Sequence, residues 1–410
     1  MELRKYKLGE LLDVRRGASL AGEFYATEGK YIRLTCGNFD YVNNSFKENT
    51  SKDDIYYVGN VREEFIMQEG DIITPLTEQA IGLLGSTAII PESGKYIQSQ
   101  DVAKIICKEE LLCPMYAFYL ISSASVKAQL SAAAQQTKIR HTSPDKIKDC
   151  VVWIPDIQTQ KEVASVLSNL DKKIALNKQI DIYLEALARQ IYDYWFVQFD
   201  FPDAKGKPYK SSGGKMVYNE RLKREIPEGW EVKELGNVIE LQDSKRVPLS
   251  TYQRENRKGI YPYYGATGIM DYIDDYIFDD EILLLAEDGS TSDNYGHPVV
   301  QYVWGKVWVN NHAHIIIPKD AGHKIYTYFM LKDIPVKLIE TGSIQKKINQ
   351  ENLLGYHSLI APKKLIDEFS RRVRPIWEKK MISIEETFGL IKQRDELLPL
   401  IMNGQVYIVK

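Results

Sequence analysis

The chain has 410 residues, which is too long for one ordinary hydrophobic core and predicts two or more domains. Hydrophobic residues make up 44% of it, which argues against extensive disorder, and no apolar run reaches the roughly 18–20 residues that a membrane-spanning helix needs. The net charge of −3 argues mildly against a nucleic-acid binder, but a local basic surface can still contact phosphate.

Four short patterns occur twice along the chain in the same order. Residues 6–11 match 232–238, residues 70–73 match 280–283, residues 100–106 match 310–316, and residues 153–155 match 360–362. The offsets are 227 from Leu8 to Leu235, 210 for the second and third pairs, and 207 for the last. Two divergent copies of one unit are therefore predicted. The alternative is chance similarity between short strand-like runs.

Each predicted copy has the same order of elements. A strand-rich region with short apolar runs comes first, a helix follows at about residues 116–122 and again at 326–331, and a long helix ends the copy. The predicted segments are a first globular domain at 1–155, a helix at 156–199, a linker at 200–229, a second globular domain at 230–362 and a helix at 363–410.

The two long helices carry apolar residues at steps of three and four, which is typical of a coiled coil. Asn177 interrupts the first seam and Asp395 the second. The alternative for each is a single packed core helix, but about 40 residues is well beyond the usual length. The predicted seam residues are Val163, Leu167, Leu170, Ile174, Ile180, Leu184, Leu187 and Ile191 of the first helix, with Phe369, Val373, Trp377, Met381, Ile384, Phe388, Ile391 and Leu398 of the second.

The segment between the copies is predicted to be a linker because it is rich in proline, glycine and serine. Between Lys205 and Arg224 it has seven lysines or arginines and one acid, Glu220. A solvated linker and incidental phosphate contact both remain open for this basic stretch.

Several of these segments resemble type I restriction–modification specificity subunits. The central stretch resembles that family's linker at Asp-Phe-Pro (200–202), Pro-Tyr-Lys-Ser-Ser-Gly-Gly (208–214) and Glu-Ile-Pro-Glu-Gly-Trp (225–230). Further similarity lies at Tyr-Pro-Tyr-Tyr-Gly-Ala-Thr-Gly (261–268), at Pro-Asp-Ile-Gln-Thr-Gln-Lys-Glu (155–162) and at Tyr-Trp-Phe-Val (194–197). The resemblance covers essentially the whole chain, although residues 362–368 match the family's helix entry only loosely.

The resemblance implies an α+β fold: two globular target recognition domains in a pseudo-two-fold arrangement, joined by two long helices that form an antiparallel coiled coil. It also implies that the subunit reads double-stranded DNA and positions two modification subunits, which methylate adenine with S-adenosylmethionine. Restriction subunits add translocation and cleavage. No catalytic residue and no cofactor are expected in this chain, which has no Asn/Asp-Pro-Pro-Tyr motif and no phosphate-binding loop.

Two patterns imitate catalytic or metal chemistry. His312 and His314 are two residues apart and would share one face of a strand, where a third ligand could complete a metal site. A packed or DNA-facing histidine pair is the favoured interpretation, so no metal is expected. Pro202-Asp203 followed by Glu231 and Lys233 imitates a nuclease signature, but this pattern is common by chance.

DNA contact is expected from polar side chains on loops beside strands, where they can reach base edges. Arginine suits guanine, asparagine and glutamine suit adenine, and paired cations suit phosphate. The candidates are Arg15, Arg16, Arg33, Asn38, Gln79, Gln100, Lys138 and Arg140 in the first domain, and Lys245, Arg246, Tyr264, Thr267, Ser290, Thr291, Asn310, Asn311, His312, Lys346 and Lys347 in the second.

Two other functions remain alternatives: a coiled-coil scaffold that does not bind DNA, and a restriction or modification enzyme with its own catalytic site. The divergence of the two copies argues against a plain scaffold, and an enzyme would need about 200 further residues for a typical domain. Cys36, Cys107, Cys113 and Cys150 include no C-x-x-C pair, and no apolar region follows the N-terminal Met-Glu-Leu-Arg-Lys. A soluble cytoplasmic protein is therefore expected.

Overall fold

The computed structural model describes residues 2–50, 53–78, 82–133, 140–342 and 346–406. The fold is α+β, and the chain divides into two compact units, Met1–Asn177 with Glu385–Lys410 and Lys178–Ile384. These units cut across the predicted helical segments because each globular core takes in part of both long helices. No helix in the described ranges has the length and apolar character needed to cross a membrane.

The described part of the first unit contains short strands, four short α-helices, the start of the first long helix and the end of the second. Its strands are β1 Arg4–Lys7, β2 Leu12–Arg16, β3 Tyr25–Ala26, β4 Tyr31–Arg33, β5 Phe39–Asp40, β6 Ser45–Phe46, β7 Tyr56–Tyr57, β8 Ile72–Pro75, β9 Thr77–Glu78, β10 Ala88–Ile89, β11 Tyr96–Ile97, β12 Val102–Cys107, β13 Arg140–His141 and β14 Val151–Ile154. Its helices are α1 Leu8–Leu11, α2 Pro114–Ile121, α3 Ala124–Ala133 and α4 Pro144–Lys148, and the long helix is α5 Ile157–Tyr192.

The second unit has the same kinds of element. Its strands are β15 Met216–Asn219, β16 Arg224–Pro227, β17 Glu231–Glu234, β18 Ile239–Leu241, β19 Lys258–Tyr264, β20 Ile269–Ile273, β21 Phe278–Asp279, β22 Ile282–Ala286, β23 Val300–Val303, β24 Lys306–Val309, β25 Ala313–Pro318, β26 Glu340–Thr341, β27 Lys347–Ile348 and β28 His357–Ile360. Its helices are α6 Thr251–Glu255, α7 Lys324–Lys332 and α8 Gln350–Gly355, and the second long helix is α9 Lys363–Met402.

A central antiparallel sheet has the same strand order in both units. It is β10-β8-β12-β2 in the first and β23-β22-β25-β18 in the second. A second four-stranded sheet contains one parallel pair in each unit, β4 with β11 and β19 with β24. The predicted internal repeat is therefore present as a repeat of topology.

The strand registers correct the alignment of the two copies by one residue. Ile72 lies opposite Ile105 in the first sheet, and Leu283 lies opposite Ile316 in the second, so both offsets are 211 and not 210. A one-residue slip exchanges the two faces of a strand. Accordingly, His314 corresponds to Ala103 of the first copy, and not to Lys104.

The last repeat also shifts by one residue. Arg4 of β1 pairs with Ile154 of β14, and Glu231 of β17 pairs with Ile360 of β28. The offset from Ile154 to Ile360 is therefore 206 residues. The extra residue of the second copy is Ala361, which separates the strand from the proline before the helix. The prolines therefore align in sequence while the strands before them do not.

The segment predicted as an open linker is a folded part of the second unit. Strands β15 and β16 pair along their full length as a hairpin. Phe201 stacks on Tyr209 and Trp230, with ring centroids 4.6 and 5.7 Å apart. Asp200 accepts hydrogen bonds from the Ser211 backbone N–H at 2.7 Å and from its hydroxyl at 2.6 Å. The predicted linker is therefore a folded segment, and its composition did not reveal these aromatic anchors.

In the first unit, α5 and the end of α9 run antiparallel with polar contacts in their interface. The Arg394 guanidinium donates to Asp171 Oδ1 at 3.1 Å, and the Tyr119 hydroxyl donates to Asp171 Oδ2 at 2.5 Å. Asn177 Nδ2 donates to Glu386 Oε2 at 2.8 Å. Partners move backward along α9 as α5 advances, which defines the antiparallel sense.

In the second unit, Glu185 occupies the equivalent interface between α5 and α9. It accepts from Lys380 Nζ at 2.5 Å, from Lys332 Nζ at 3.0 Å and from the Tyr328 hydroxyl at 2.8 Å. Burial alone would raise the pKa of Glu185, but the two ammonium groups outweigh it and lower the pKa to about 2. The helix interface is thus stabilised by charge as well as by apolar packing.

The predicted apolar seam describes the N-terminal half of each long helix better than its C-terminal half. Leu187 and Phe388 are 45% and 49% exposed, so the prediction is wrong at these two positions. Their three- and four-residue spacing fits more than one neighbouring stripe of a helix, and polar Asn177, Ser383 and Thr387 are buried instead. The predicted positions that are buried are Val163, Leu167, Ile174, Phe369, Val373 and Trp377, and those half-buried are Leu170, Ile180, Leu184, Ile191, Met381, Ile384, Ile391 and Leu398.

Candidate nucleic-acid interface

One end of the central sheet in the second unit collects polar side chains from separate parts of the chain. There the end of β22 meets the start of β25, and the Glu287 N–H donates to the His312 carbonyl at 2.9 Å. His312 Nδ1 lies 2.7 Å from Asp288 Oδ1. The segment after β18 joins them, because Arg246 donates to the Ala313 carbonyl at 3.0 Å.

The hairpin of β26 and β27 lies against the same end. Lys347 forms an isolated antiparallel bridge with Asp288, and the Ile348 N–H donates to the Glu287 carbonyl at 2.9 Å. Lys347 Nζ contacts Glu287 Oε1 at 2.7 Å, and Lys346 Nζ contacts Glu340 Oε1 at 2.9 Å. The hairpin therefore brings two lysines to the edge that carries His312.

The first unit presents the same end of its sheet. Arg16, the last residue of β2, donates from Nε to the Gln100 carbonyl at 2.8 Å. Leu76, just after β8, donates its N–H to the Asp101 carbonyl at 2.8 Å and accepts from the Thr142 N–H at 2.9 Å. Arg140 therefore reaches this end through β13, which pairs with β9.

The registers make Arg140 and Lys346 equivalent. The Thr142 N–H bonds to Leu76 just as the Ile348 N–H bonds to Glu287, so residues 140–142 match residues 346–348. A cationic side chain therefore occupies the same place in both copies at this pair. We call these two sheet ends the polar edges. Their exposed or half-buried candidates are Arg15, Arg16, Gln100 and Arg140 in the first unit, and Lys245, Ser290, Asn311, His312, Lys346 and Lys347 in the second. Thr267 is also exposed, but it lies in the loop between β19 and β20, which belong to the other sheet.

Two of the DNA-contact candidates in the first unit form contacts within the chain instead. Arg33 is only 8% exposed, donates to the Asp54 carbonyl at 3.1 Å and lies 3.9 Å above the Tyr25 ring. Asn38 is 1% exposed, and its side chain closes a turn with Thr35. Neither side chain therefore presents free donors to DNA. The prediction failed at these two positions because sequence spacing could not distinguish a turn-forming asparagine or a packed arginine from exposed ones. Gln79 and Lys138 lie outside the described residues.

Four second-unit candidates are also corrected by burial or pairing. Thr291 and Asn310 are each 2% exposed, and Asn310 accepts from the His312 N–H at 2.8 Å. Tyr264 packs against the core, where burial raises the pKa of its hydroxyl to about 12. Arg246 donates to Glu287 Oε2 at 2.5 Å. These residues shape the polar edge from beneath it.

The two histidines lie in different surroundings. His312 is exposed before β25 begins, whereas His314 is 1% exposed inside the unit. His314 lies close to Asp243 and Glu287, which could in principle share a metal ion with it. Arg246 and Lys347 already contact these carboxylates, so the cluster is neutralised by cations of the chain itself. In the second group, Asp320, His323 and Asp367, both carboxylates contact Lys363.

The residues of the nuclease-like pattern form local structural contacts. Asp203 closes a turn by accepting backbone hydrogen bonds from Lys205 and Lys207, each at 2.8 Å. Glu231 contacts Lys233 at 2.5 Å on β17. These carboxylates therefore have structural partners of their own.

Sequence reasoning missed the acids of the polar edge and the buried amide that supports it. Asp243 and Glu287 anchor the second edge, and Gln98, which is 2% exposed, donates to the Arg15 carbonyl at 2.7 Å in the first. No repeated or periodic pattern marks these residues, because each meets its partners only when distant segments come together.

Comparison with known proteins identifies relatives of both halves of the chain. A family profile described as "Type I restriction modification DNA specificity domain" matches residues 2–186 and again residues 227–357. The type I restriction enzyme MjaIX specificity subunit of Methanocaldococcus jannaschii is 24% identical over 328 residues, covering 76% of this chain and 73% of the relative. A putative type I specificity subunit of Haemophilus influenzae, S.HindORF215P, is 33% identical over 141 residues, 34% of this chain and 35% of the relative.

A solved structure agrees with this fold over its whole length. The type I restriction–modification S subunit from M. genitalium aligns with 100% of this chain and 97% of its own, with a TM-score of 0.59 and 15% identity. At this identity the match concerns the fold alone.

Proposed function

The chain belongs to the family of type I restriction–modification DNA specificity domains, and on that premise we propose that each of its two domains reads one half of a bipartite DNA target. The observation that carries the proposal is the pair of polar edges. Equivalent ends of the two central sheets present exposed cationic and amide side chains, with Arg140 and Lys346 in matching positions. Such groups can contact phosphates and base edges.

The two edges differ in chemistry, so the two half-sites are expected to differ. Arg15, Arg16 and Gln100 in the first unit offer arginine and amide donors, which suit guanine and adenine. Asn311 and His312 take the corresponding strand region in the second unit. The bipartite target is therefore asymmetric.

The long helices have two roles in this proposal: they set the gap between the half-sites and dock the modification subunits. An exposed apolar stripe on α5 supports docking. Tyr183 and Leu187, both in the second unit, are 66% and 45% exposed and lie four residues apart, which places them on one side of the helix. We call these two residues the outer stripe. Exposed apolar surface of this kind marks a protein interaction site.

The chain is proposed to contribute recognition and no catalysis. Adenine methylation belongs to the modification subunits, and translocation and cleavage belong to restriction subunits. A scaffold that does not bind DNA and an enzyme with its own active site are the functions to be separated from this one.

Methylated-base sequencing separates them. The chain is co-expressed with its modification subunits in a host without other methylation, and methylated adenines are mapped by single-molecule sequencing. We expect one asymmetric bipartite motif, and neither methylation nor cleavage by the chain alone. A palindromic motif would contradict the proposal that the two domains recognise different half-sites. Methyl transfer by the chain alone would show that it is an enzyme. A duplex with the mapped motif should bind the assembled complex at least tenfold more tightly than duplexes altered in either half.

A further inference from the structure

An exposed methionine of the second unit is held in place beside the polar edge. Met270, on the edge strand β20, is 55% exposed, and its sulfur accepts from Asn310 Nδ2 at 3.2 Å. Asn310 is 2% exposed, and its Oδ1 accepts from the His312 N–H at 2.8 Å. One buried amide therefore joins the Met270 side chain to the polar edge.

Gly265 leaves the space that the methionine side chain occupies. A β-carbon added at Gly265 would overlap Met270 Sδ and come within 2.8 Å of Met270 Cγ. The backbone of Gly265 lies outside the left-handed region, so its own dihedral angles do not require glycine. The Met270 thioether therefore packs directly on the backbone of the β19–β20 loop.

This loop is itself anchored to the central sheet. Gln301 Nε2, on β23, donates to the Gly265 carbonyl at 3.1 Å and to the Ala266 carbonyl at 3.0 Å. The Asn310 N–H donates to the Tyr264 carbonyl at 3.1 Å. A methionine side chain loses much rotamer entropy when it is ordered, so holding it before binding reduces the entropy that a contact with a ligand costs.

The chemistry of Met270 differs from that of its neighbours on the polar edge. Asn311 and His312 offer polar groups to base edges, whereas Met270 offers an apolar thioether whose sulfur already accepts from Asn310. In the major groove, the methyl group of thymine is the apolar feature that distinguishes one base edge from another. An immobilised apolar side chain beside polar ones therefore fits a thymine.

The contact that holds Met270 is specific to the second unit. The register of the central strands relates the two copies by an offset of 211, from Ile105 to Ile316, which places Ser99 where the second unit has Asn310. Serine has no amide group to donate to a thioether. The two polar edges thus differ at a position that supports an exposed side chain.

We propose that Met270 is a specificity-determining residue that contacts the methyl group of a thymine in the half-site read by the second domain. Asn310 and Gly265 are its positioning residues: the first holds the sulfur, and the second leaves room for it. This inference rests on the proposed function, since it names one base that the second polar edge reads.

The test measures duplex affinity with the full chain assembled with its modification subunits. Each thymine of the mapped half-sites is replaced in turn by deoxyuridine, which lacks only the methyl group. The wild type should bind about threefold to fivefold more weakly when one particular thymine is replaced, because one buried methyl contact is lost. Met270→Ala should bind the thymine and uracil duplexes equally at that position and should keep the wild-type response at every other thymine.

Two further variants separate reading from folding. Gly265→Ala displaces the thioether without removing it, so it should also lose the preference for thymine at that position. Ile260→Ala is the matched control, because Ile260 is another apolar residue of the same hairpin, 73% exposed, four residues before Tyr264 on β19. It should respond to uracil as the wild type does. Circular dichroism and thermal melting check that the variants fold.

The remaining outcomes contradict one proposal or the other. If the wild type does not distinguish the mapped target from targets altered in either half, the proposed function is wrong. If it does, the inference about Met270 fails when no thymine occupies the half-sites, when no uracil substitution weakens binding, or when Met270→Ala keeps the preference. Equal weakening on all duplexes would indicate contact with the DNA backbone, and loss of assembly alone would indicate contact with a protein; either result overturns the inference.

Discussion

Lys380 of α9 donates from Nζ to Glu185 of α5 at 2.5 Å, and each residue is next to a predicted position of the apolar seam, Met381 and Leu184 respectively. Glu185 also accepts from Lys332 and Tyr328, so one carboxylate connects both long helices to α7 of the second globular domain. This contact makes the helix pair dependent on a charge that can be removed.

Glu185→Gln should lower the free energy of unfolding by about 1–3 kcal/mol, because two partly buried ammonium groups lose their counter-ion. Chemical denaturation of the purified chain measures this change. Glu396→Gln is the matched control: its side chain is 67% exposed and its contact with Lys392 is 3.9 Å, so its effect should stay below about 0.5 kcal/mol. Equal effects of the two variants would show that the Glu185 contacts contribute no more than a surface ion pair.

The same residue predicts how stability depends on acid. The folded pKa of Glu185, about 2, lies below its ordinary value of 4.5, so its stabilisation is present above about pH 4.5 and is lost as pH falls toward 2. The wild type should therefore lose its stability advantage over Glu185→Gln across this interval. Denaturation at a series of pH values checks the prediction, and a difference that is independent of pH would contradict it.

Lys346→Ala should weaken DNA binding by the assembled complex for all sequences alike, because we assign this lysine to phosphate. The slope of log affinity against log salt should fall by about one. Lys392→Ala is the control, since Lys392 is an exposed lysine of α9 that contacts Glu396 and is not one of the polar-edge residues. Anisotropy titrations over a range of salt measure both. A change in half-site preference without a change in slope would mean that Lys346 reads a base.

Leu187→Asp should leave folding intact and disrupt assembly. Leu187 is 45% exposed, so the charge remains solvated and the unfolding free energy should change by less than about 0.5 kcal/mol. Burying that charge under a modification subunit should reduce complex formation at least tenfold in size-exclusion or pull-down assays. Lys178→Asp, on the opposite side of α5, should assemble normally. Normal assembly of Leu187→Asp would move the docking surface away from the outer stripe.

The helices should act as a ruler for the gap between half-sites. Seven residues inserted after Asn177, with seven inserted at the matching level of α9 near Phe388, keep the helical phase and add about 10 Å of rise. That length corresponds to roughly three base pairs. Methylome sequencing should then show a motif with a gap about three base pairs longer. Continued methylation of the original spacing by a folded, assembled complex would show that the partner subunits set the gap.

The sequence by itself determined the large-scale organisation of this protein. The repeat at Leu8 and Leu235, the two long helices and the motifs from Asp200 to Trp230 led to the architecture and the family that the comparisons show. These features depend on patterns that follow directly from local backbone geometry: alternation of side chains in strands, and steps of three and four residues in helices.

Only the tertiary structure decided which side chains face which partner. The strand register moved the match of His314 from Lys104 to Ala103, and the folded chain brought its ring into contact with Asp243. The helix interface contains the Glu185–Lys380 ion pair and leaves Leu187 exposed. A one-residue shift in a strand exchanges its faces, and neighbouring helical stripes share the same spacing. Periodicity therefore identifies an element, whereas the partner of each of its faces is set by long-range packing and by the pairing of buried charges.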